Sequence, residues 1–565
     1  MSNLYHEWLK SDKITEIEKS ELRKLSPEQQ EAYFKTENLQ FGTAGIRAVM
    51  GLGTKRLNRF TYGQIFHAFA TYIKNSFKFG QSITVIIGHD NRLDGDNFSL
   101  LGAKILNHYG IRVLLFKKNT LIPTPIISYA IRELGCNAGI NITASHNPKE
   151  FNGIKLYTAS GGQITTQDVP ISKLFCPPHE IINVGLNYEL TNTEYLNDEI
   201  IRRYFHDARN VEIDHTAIHR SDKKIPFVIC TNQGAASKLL PKYIKFLGYK
   251  KCKIVRDQAI IDPYFSNTEC ANPESEESFK KSYILADKIG ATFCIGVDPD
   301  ADRMAISVKK DGKWNLLSGN ETGTIFVYYT LMNRKIAFNK PYIVASSVTT
   351  NVIDHIAKKF NADVIRTGTG FKWMGDVVTR YQTGHSLVAA FEESIGALLS
   401  PINRDKDSFT ATTLILEIIT KYKQKGMDLI DLLQKEIYPQ YGYNYARTVS
   451  YTFDILDFLP FLEGKMNLFR KYKSNTIGKW HIYSNKWNEV GECIEWDLGN
   501  DNWVKFRKSG TEPKFKAYFC IYGTSNFDAK KQFDDLKILI DQIVNNKPAT
   551  PTLVPPTNPT PAPTK

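Results

Sequence analysis

Residues 83–116 read ITVIIGHDNRLDGDNFSLLGAKILNHYGIRVLLF, and this stretch decides the fold class. Ile83–Ile87 is a short β-branched run of the kind that forms a buried strand. The polar loop Gly88-His89-Asp90-Asn91-Arg92 follows, then an amphipathic segment from Phe98 to Tyr109 that stops at Gly110, then a second apolar run, Val113–Phe116. Strand, helix of 3.6 period and strand make the βαβ unit, and they imply parallel pairing. The same unit recurs with strand Pro226–Cys230, loop Thr231–Gly234, a helix carrying Leu239, Leu240, Tyr243, Ile244 and Leu247, the stop Gly248 and strand Lys253–Val255. It recurs once more, without a glycine stop, as strand Tyr342–Ala345, helix Asn351–Phe360 and strand Asp363–Ile365. Units spaced this widely predict three α/β domains in tandem rather than one large sheet.

The fourth region has a different pattern. Trp503–Arg507 and Lys514–Tyr522 alternate apolar with polar around a turn, which predicts a hairpin on a half-buried antiparallel sheet, followed by a helix near Asp528–Val544. Seven of the last 18 residues are Pro and five are Thr, so residues 547–565 are expected to be a disordered appendage. The resulting division is 1–200, 201–315, 316–440 and 441–546, plus that tail. Of 565 residues, 42% are hydrophobic and 23% charged, the proportions of an ordinary globular protein. No apolar run is long enough for a membrane helix, and the first residues hold no apolar core of a secretory signal. Eight scattered cysteines lack metal or disulfide spacing, so a cytoplasmic location is expected. The net charge of +13 is spread along the chain, which argues against nucleic acid and is compatible with small anionic substrates.

Four polar loops carry candidate chemistry. Thr143-Ala144-Ser145-His146-Asn147-Pro148 follows the strand Ala138–Ile142, and a serine on such a tight loop is expected to be exposed and could be a nucleophile. On these residues alone an ordinary Asn-Pro turn is the favoured reading. Asp298-Pro299-Asp300-Ala301-Asp302-Arg303 follows Phe293–Val297, and three alternating carboxylates can converge on a hard divalent cation. An EF-hand is excluded because Arg303 and Lys309 stand where its Gly and Glu belong. A phosphotransferase of the haloacid-dehalogenase type, with Asp298 as nucleophile, fits this spacing too. Phe391-Glu392-Glu393-Ser394-Ile395-Gly396 suits sugar hydroxyls, and Arg507-Lys508-Ser509-Gly510-Thr511-Glu512-Pro513 has the cations, hydroxyls and relieved backbone a phosphate dianion needs.

In order along the chain, these segments resemble the α-D-phosphohexomutase superfamily, the phosphoglucomutase/phosphomannomutase enzymes. Phe41-Gly42-Thr43-Ala44-Gly45-Ile46-Arg47, Asn152-Gly153-Ile154-Lys155, Asn272-Pro273-Glu274 and Thr367–Gly375 add to the resemblance, which is nearest to the glucose- and pentose-phosphate mutase branch. It implies three α/β domains with mixed sheets and a smaller C-terminal α+β domain around a central cleft, in a monomer or dimer. It implies a phosphoserine at Ser145, with Mg²⁺ held by Asp298, Asp300, Asp302 and a phosphoryl oxygen on Ser145. Arg47, Arg303 and Lys155 would surround the transferring group, with Lys155 as general acid/base and His146 as an orienting neighbour. Thr369, Gly370, Lys372, Glu392 and Ser394 would grip the sugar, and Arg507, Ser509, Gly510, Thr511 and Lys516 the phosphate that is not reacting. The substrates implied are sugar phosphates, with glucose 1,6-bisphosphate as intermediate and activator; phosphomannomutase and phosphopentomutase activities are the alternatives, and a non-enzymatic sugar-phosphate-binding protein is a remoter one. This chain has Gly396 where mannose-processing bacterial relatives carry His, a departure that favours glucose. It also has Asp407-Ser408 in place of Asp-Gly, and Gln233-Gly234 in place of His-Gly.

Overall fold

The three βαβ units become the centres of three separate sheets. The computed structural model describes residues 3–42, 44–78, 80–165, 171–214, 225–333, 339–455, 458–510 and 513–545. The expected tail, 547–565, and Thr511 lie outside the described residues. The chain divides into two units, Met1–Ile437 and Tyr438–Lys565.

In the first unit, Thr84–His89 pairs in parallel with Arg112–Phe116 on one side and Ala138–Ile142 on the other. Ile46–Val49 and Phe151–Thr158 extend this sheet antiparallel, and Thr193–Leu196 closes its other edge to give six strands. The second sheet has five strands, with Phe227–Cys230 parallel to Cys252–Ile254 and Phe293–Val297, and with Met304–Lys310 and Lys313–Leu316 antiparallel beyond them. The third has four: Asp363–Thr367, Pro341–Ser346 and Ser386–Phe391 are parallel, and Ala397–Leu398 is antiparallel. Each sheet is therefore mixed. Its central strands are apolar throughout because helices cover both faces; Val85, Ile86 and Ile87 are fully buried, a contribution of about 1.5–3 kcal/mol per side chain.

The three units stop their helices at the same geometric point. Gly110 and Gly248 adopt φ of +73° and +94° just after helices Gly95–His108 and Ala236–Phe246. The third unit, which lacks the glycine, places Asn361 there at φ +51° after helix Val352–Lys359. Asparagine tolerates the left-handed region better than other side chains with a Cβ, so the stop is present under another residue type.

The second unit is a five-stranded antiparallel sheet in the order Tyr443–Thr452, Lys514–Gly523, Asn502–Lys508, Cys493–Gly499 and Ser484–Asn488. Helices Phe458–Arg470 and Asn526–Val544 contribute Leu462, Met466, Phe469, Phe533, Leu536 and Ile540 to its core. Among the described residues, no helix is long and apolar enough to cross a membrane.

Candidate active site

Parallel strands send their carboxyl ends, and the loops that follow, toward one edge of a sheet, where ligands of α/β proteins bind. The Ser145, Asp298–Asp302 and Glu392 loops all leave such strand ends in the first unit.

Ser145 is fully buried and has φ +51°, a left-handed conformation. Its N–H donates to Thr143 Oγ1 at 2.8 Å, and the Thr143 hydroxyl donates to Asp90 Oδ2 at 2.6 Å. Its own Oγ donates to Asp298 Oδ2 at 2.8 Å and lies 3.3 Å from His146 Nδ1. The sequence reading expected an exposed serine; the structure corrects this, because the second sheet brings Asp298 onto the hydroxyl and closes the loop over.

Asp298, Asp300 and Asp302 are buried, and one ligand oxygen from each lies within 4.8 Å of the others. The turn that gathers them places Ala301 at φ +52°, and the Ser408 hydroxyl donates to the Ala301 carbonyl at 2.6 Å. In each carboxylate one oxygen is held by protein donors. Asp298 Oδ1 accepts the N–H groups of Asp302 and Arg303. Asp300 Oδ2 accepts from Lys155 Nζ at 2.7 Å and from Thr124 Oγ1 at 2.8 Å. Asp302 Oδ2 pairs with Lys155 Nζ at 2.7 Å and Lys406 Nζ at 3.0 Å. The other oxygens differ: Asp300 Oδ1 and Asp302 Oδ1 are buried with no hydrogen-bond partner among the described residues, and Asp298 Oδ2 faces the serine. Buried, unsatisfied carboxylate oxygens this close together fit a divalent cation with oxygen ligands, while the lysines orient the carboxylates from behind.

The electrostatics follow. Burial, with repulsion from Asp300 and Asp302, raises the Asp298 carboxyl well above the usual carboxylate range. Burial pushes Asp302 the same way, yet Lys155, Lys406 and Arg303 outweigh it and hold that carboxyl well below its ordinary value. Burial would strip Lys155 of its proton, but Asp300, Asp302 and Asp405 more than offset this and raise it. A lysine gripped by two carboxylates holds its proton tightly.

Around this centre, Arg47 Nη1 donates to Asn147 Oδ1 at 2.9 Å. Arg303 bridges to Gly396 and lies 3.7 Å from Glu274. Glu392 is buried, and its Oε1 accepts the Gly370 N–H at 2.9 Å, so the two segments read as sugar-binding meet. Thr369 and Lys372 flank Gly370, with the Lys372 ammonium 5.3 Å from the Trp373 ring; Ser394 is half-buried. A Cβ at Gly396 would overlap Lys406 Cδ, so the missing side chain is what lets Lys406 run past to Asp302.

In the second unit, Arg507 lies opposite Lys516 on paired strands, and Ser509 N–H donates to Lys514 O at 2.9 Å. Lys508 pairs with Glu463 at 2.6 Å, and Gly510 is exposed. Sequence reasoning missed Thr124 and Lys406. The alternating charges of Arg404-Asp405-Lys406-Asp407 were the available signal for the latter: Asp405 accepts from Tyr157 and Gln163, and Asp407 from Tyr204, which makes this short run a junction between sheets.

Comparison with known proteins agrees with this layout. Residues 38–173, 202–312 and 318–438 match the phosphoglucomutase/phosphomannomutase alpha/beta/alpha domains I, II and III. A phosphomannomutase of Mycoplasmoides pirum is 40% identical over 543 residues, 96% of this chain and 98% of that protein. A phosphoglucomutase of Staphylococcus saprophyticus is 30% identical, over 88% of this chain and 93% of that one. A putative phosphomannomutase from Thermus thermophilus shares the fold, with a TM-score of 0.69 at 20% identity over 90% of this chain and all of that one. The chain belongs to the phosphoglucomutase/phosphomannomutase family, and it is an isomerase of the intramolecular phosphotransferase kind.

Proposed function

From that membership we propose that the enzyme interconverts glucose 1-phosphate and glucose 6-phosphate through a phosphoserine at position 145 and a sugar 1,6-bisphosphate. The observation that carries this reading is the buried Ser145 hydroxyl 2.8 Å from a carboxylate oxygen of an acidic triad with two unsatisfied oxygens. Mg²⁺ held by Asp298, Asp300 and Asp302 would supply positive charge against the phosphoryl oxygens.

The chain's own groups do the rest. The sugar hydroxyl attacks phosphorus as the bond to Ser145 Oγ breaks, and the return transfer puts the other phosphoryl back on Ser145. Transfer of this kind is mostly positioning and charge stabilisation. Lys155 and Lys406 act as fixed cations, and Arg303 and Arg47 face the transferring group. His146 Nδ1, 3.3 Å from Ser145 Oγ, is the candidate to protonate the serine oxygen as the phosphoryl leaves and to take that proton back on the return transfer. Glu392 and Ser394, with the Thr369–Lys372 segment, hold sugar hydroxyls; in the second unit, Arg507, Ser509 and Lys516 have the chemistry to bind phosphate. The divisions near residues 200, 315 and 440 belong to the same proposal. Burial excludes water that would otherwise hydrolyse the phosphoenzyme.

A second reading has mannose phosphates as substrates. It is favoured by phosphomannomutases from three mycoplasmas, 31–40% identical to this chain. The resemblance supports glucose, since mannose-processing relatives carry His where this chain has Gly396, and a Cβ there would overlap Lys406. The test is turnover of glucose, mannose and pentose 1-phosphates with Mg²⁺ and a trace of the matching bisphosphate, comparing kcat/KM. Ser145→Ala should lower turnover by about 10⁴-fold or more and abolish the covalent phosphate seen by mass spectrometry. Full activity in that variant overturns the reading.

A further inference from the structure

The polar loop His89–Arg92 has no part in the chemistry above, yet it supplies the most heavily bonded side chain near the serine. Arg92 is 3% exposed. Its Nη2 donates to the carbonyl oxygens of Ser145 at 2.7 Å and Asn147 at 2.6 Å. Its Nη1 donates to those of Pro148 at 2.9 Å and Phe151 at 2.6 Å. Its Nε lies 3.5 Å from Asp90 Oδ2, and the Asp90 carboxylate also takes the Arg92 N–H and the Thr143 hydroxyl. The second sheet's loop covers the guanidinium from outside, with the Phe265 ring 5.4 Å away and Asn91 Nδ2 donating to Asp262 O at 3.1 Å.

We propose that Arg92 is a positioning residue for phosphoryl transfer: a guanidinium mould that fixes four peptide planes of the 145–151 loop and so aims Ser145 Oγ at Asp298. The proposal rests on the mutase reading for its kinetic consequence only. A serine at φ +51° persists only where its surroundings over-determine it. The Arg92 fork does this without touching the hydroxyl, because it takes the carbonyl of Ser145 itself and those of three residues that follow. The planar fork is essential. A lysine would keep the charge opposite Asp90, but its single ammonium cannot span four carbonyl oxygens. The metal loop receives no hydrogen bond from Arg92 among the described residues, and Arg92→Lys keeps the positive charge near Asp300, so the variant acts chiefly on the serine loop.

The experiment compares full-length wild type with Arg92→Lys by hydrogen exchange of peptides covering 143–153, Mg²⁺ titration calorimetry, and kinetics on glucose 1-phosphate. Arg92→Lys should speed exchange in that loop about tenfold and lower kcat about 100-fold, with KM and Mg²⁺ affinity within about threefold of wild type. If Arg92→Lys does not fold, the double variant Asp90→Asn with Arg92→Gln, which strands no buried charge, carries the same expectations. Loop exchange and kcat within about threefold of wild type overturn the proposal, and so does a kcat loss matched by an equal loss of Mg²⁺ affinity and melting temperature. Should wild type turn over no sugar phosphate, the mutase reading fails and the loop exchange alone decides the mould.

Discussion

The serine loop and the carboxylate loop meet at the Ser145–Asp298 hydrogen bond, yet the cations that hold them bind different atoms. Residues 143–151 are held through the backbone: a guanidinium and a threonine hydroxyl bind main-chain groups, and the Ser145 side chain is left to do chemistry. Residues 298–303 also take backbone bonds, from Ser408, Thr124 and Ala235, but what sets them apart is that the lysines Lys155 and Lys406 grip their carboxylates. The first device specifies a shape; the second specifies a balance of charge. The shape should therefore be indifferent to ions and to modest changes in charge, and the balance should respond to both.

The largest expected effect comes from upsetting the balance. Lys155→Met leaves Asp302 with Lys406 and Asp300 with the uncharged Thr124 hydroxyl in a buried site, and should destabilise the protein by about 3–5 kcal/mol in urea unfolding. Saturating Mg²⁺ should restore more stability to this variant than it adds to wild type. Equal gains would break the contrast. Gly396→Ala pushes the Lys406 stem away from its path to Asp302 and should cost about 1–3 kcal/mol, with weaker Mg²⁺ binding by calorimetry and unchanged hydrogen exchange in 143–151.

The pH response should separate the loop that carries Arg92 from the carboxylate loop by sign. Burial lowers His89, but its bonds to Asp96 and to the Asp90 carbonyl outweigh this and raise it above its ordinary 6.5. Its contribution, about 1 kcal/mol, is complete below that value and is lost as pH rises through the raised one. Asp302 is depressed, so its contribution is present above the ordinary 3.8 and disappears as pH falls through the lower value. Stability profiles of wild type and His89→Gln should converge on the alkaline side of the raised value and be fully apart below pH 6.5. Smallest is Ser408→Ala, which removes the donor to Ala301 and should cost about 1 kcal/mol in thermal unfolding, with a lower Mg²⁺ affinity and an untouched serine loop.

The strands of the βαβ units and the polar loops at their ends were legible because period and composition are local signals: Thr84–His89, Phe227–Cys230 and Pro341–Ser346 lie where the apolar runs place them. The same locality explains the misses. Thr124 and Asp300 are 176 residues apart, and Ser145 and Asp298 are 153 apart, so nothing near either partner marks the contact. Arg92 looked like one more loop residue, since its role exists only once four carbonyls from another loop surround it. Ser145 was read as exposed because small and polar neighbours suggest a surface turn, whereas the second sheet covers it. Asn361 is a different case: the third unit reads as lacking a glycine stop, and the left-handed turn is present there under asparagine.

The left-handed backbone at position 145 also restricts which alcohol can stand there. Threonine brings an equivalent oxygen, but its extra methyl crowds the main chain at φ +51°, at a cost of about 1–2 kcal/mol beyond what serine bears. The two amino acids, interchangeable to many kinases, are thus unequal here for a reason unrelated to reactivity. A dihedral angle, settled before any sugar arrives, has already narrowed the genetic options at this codon.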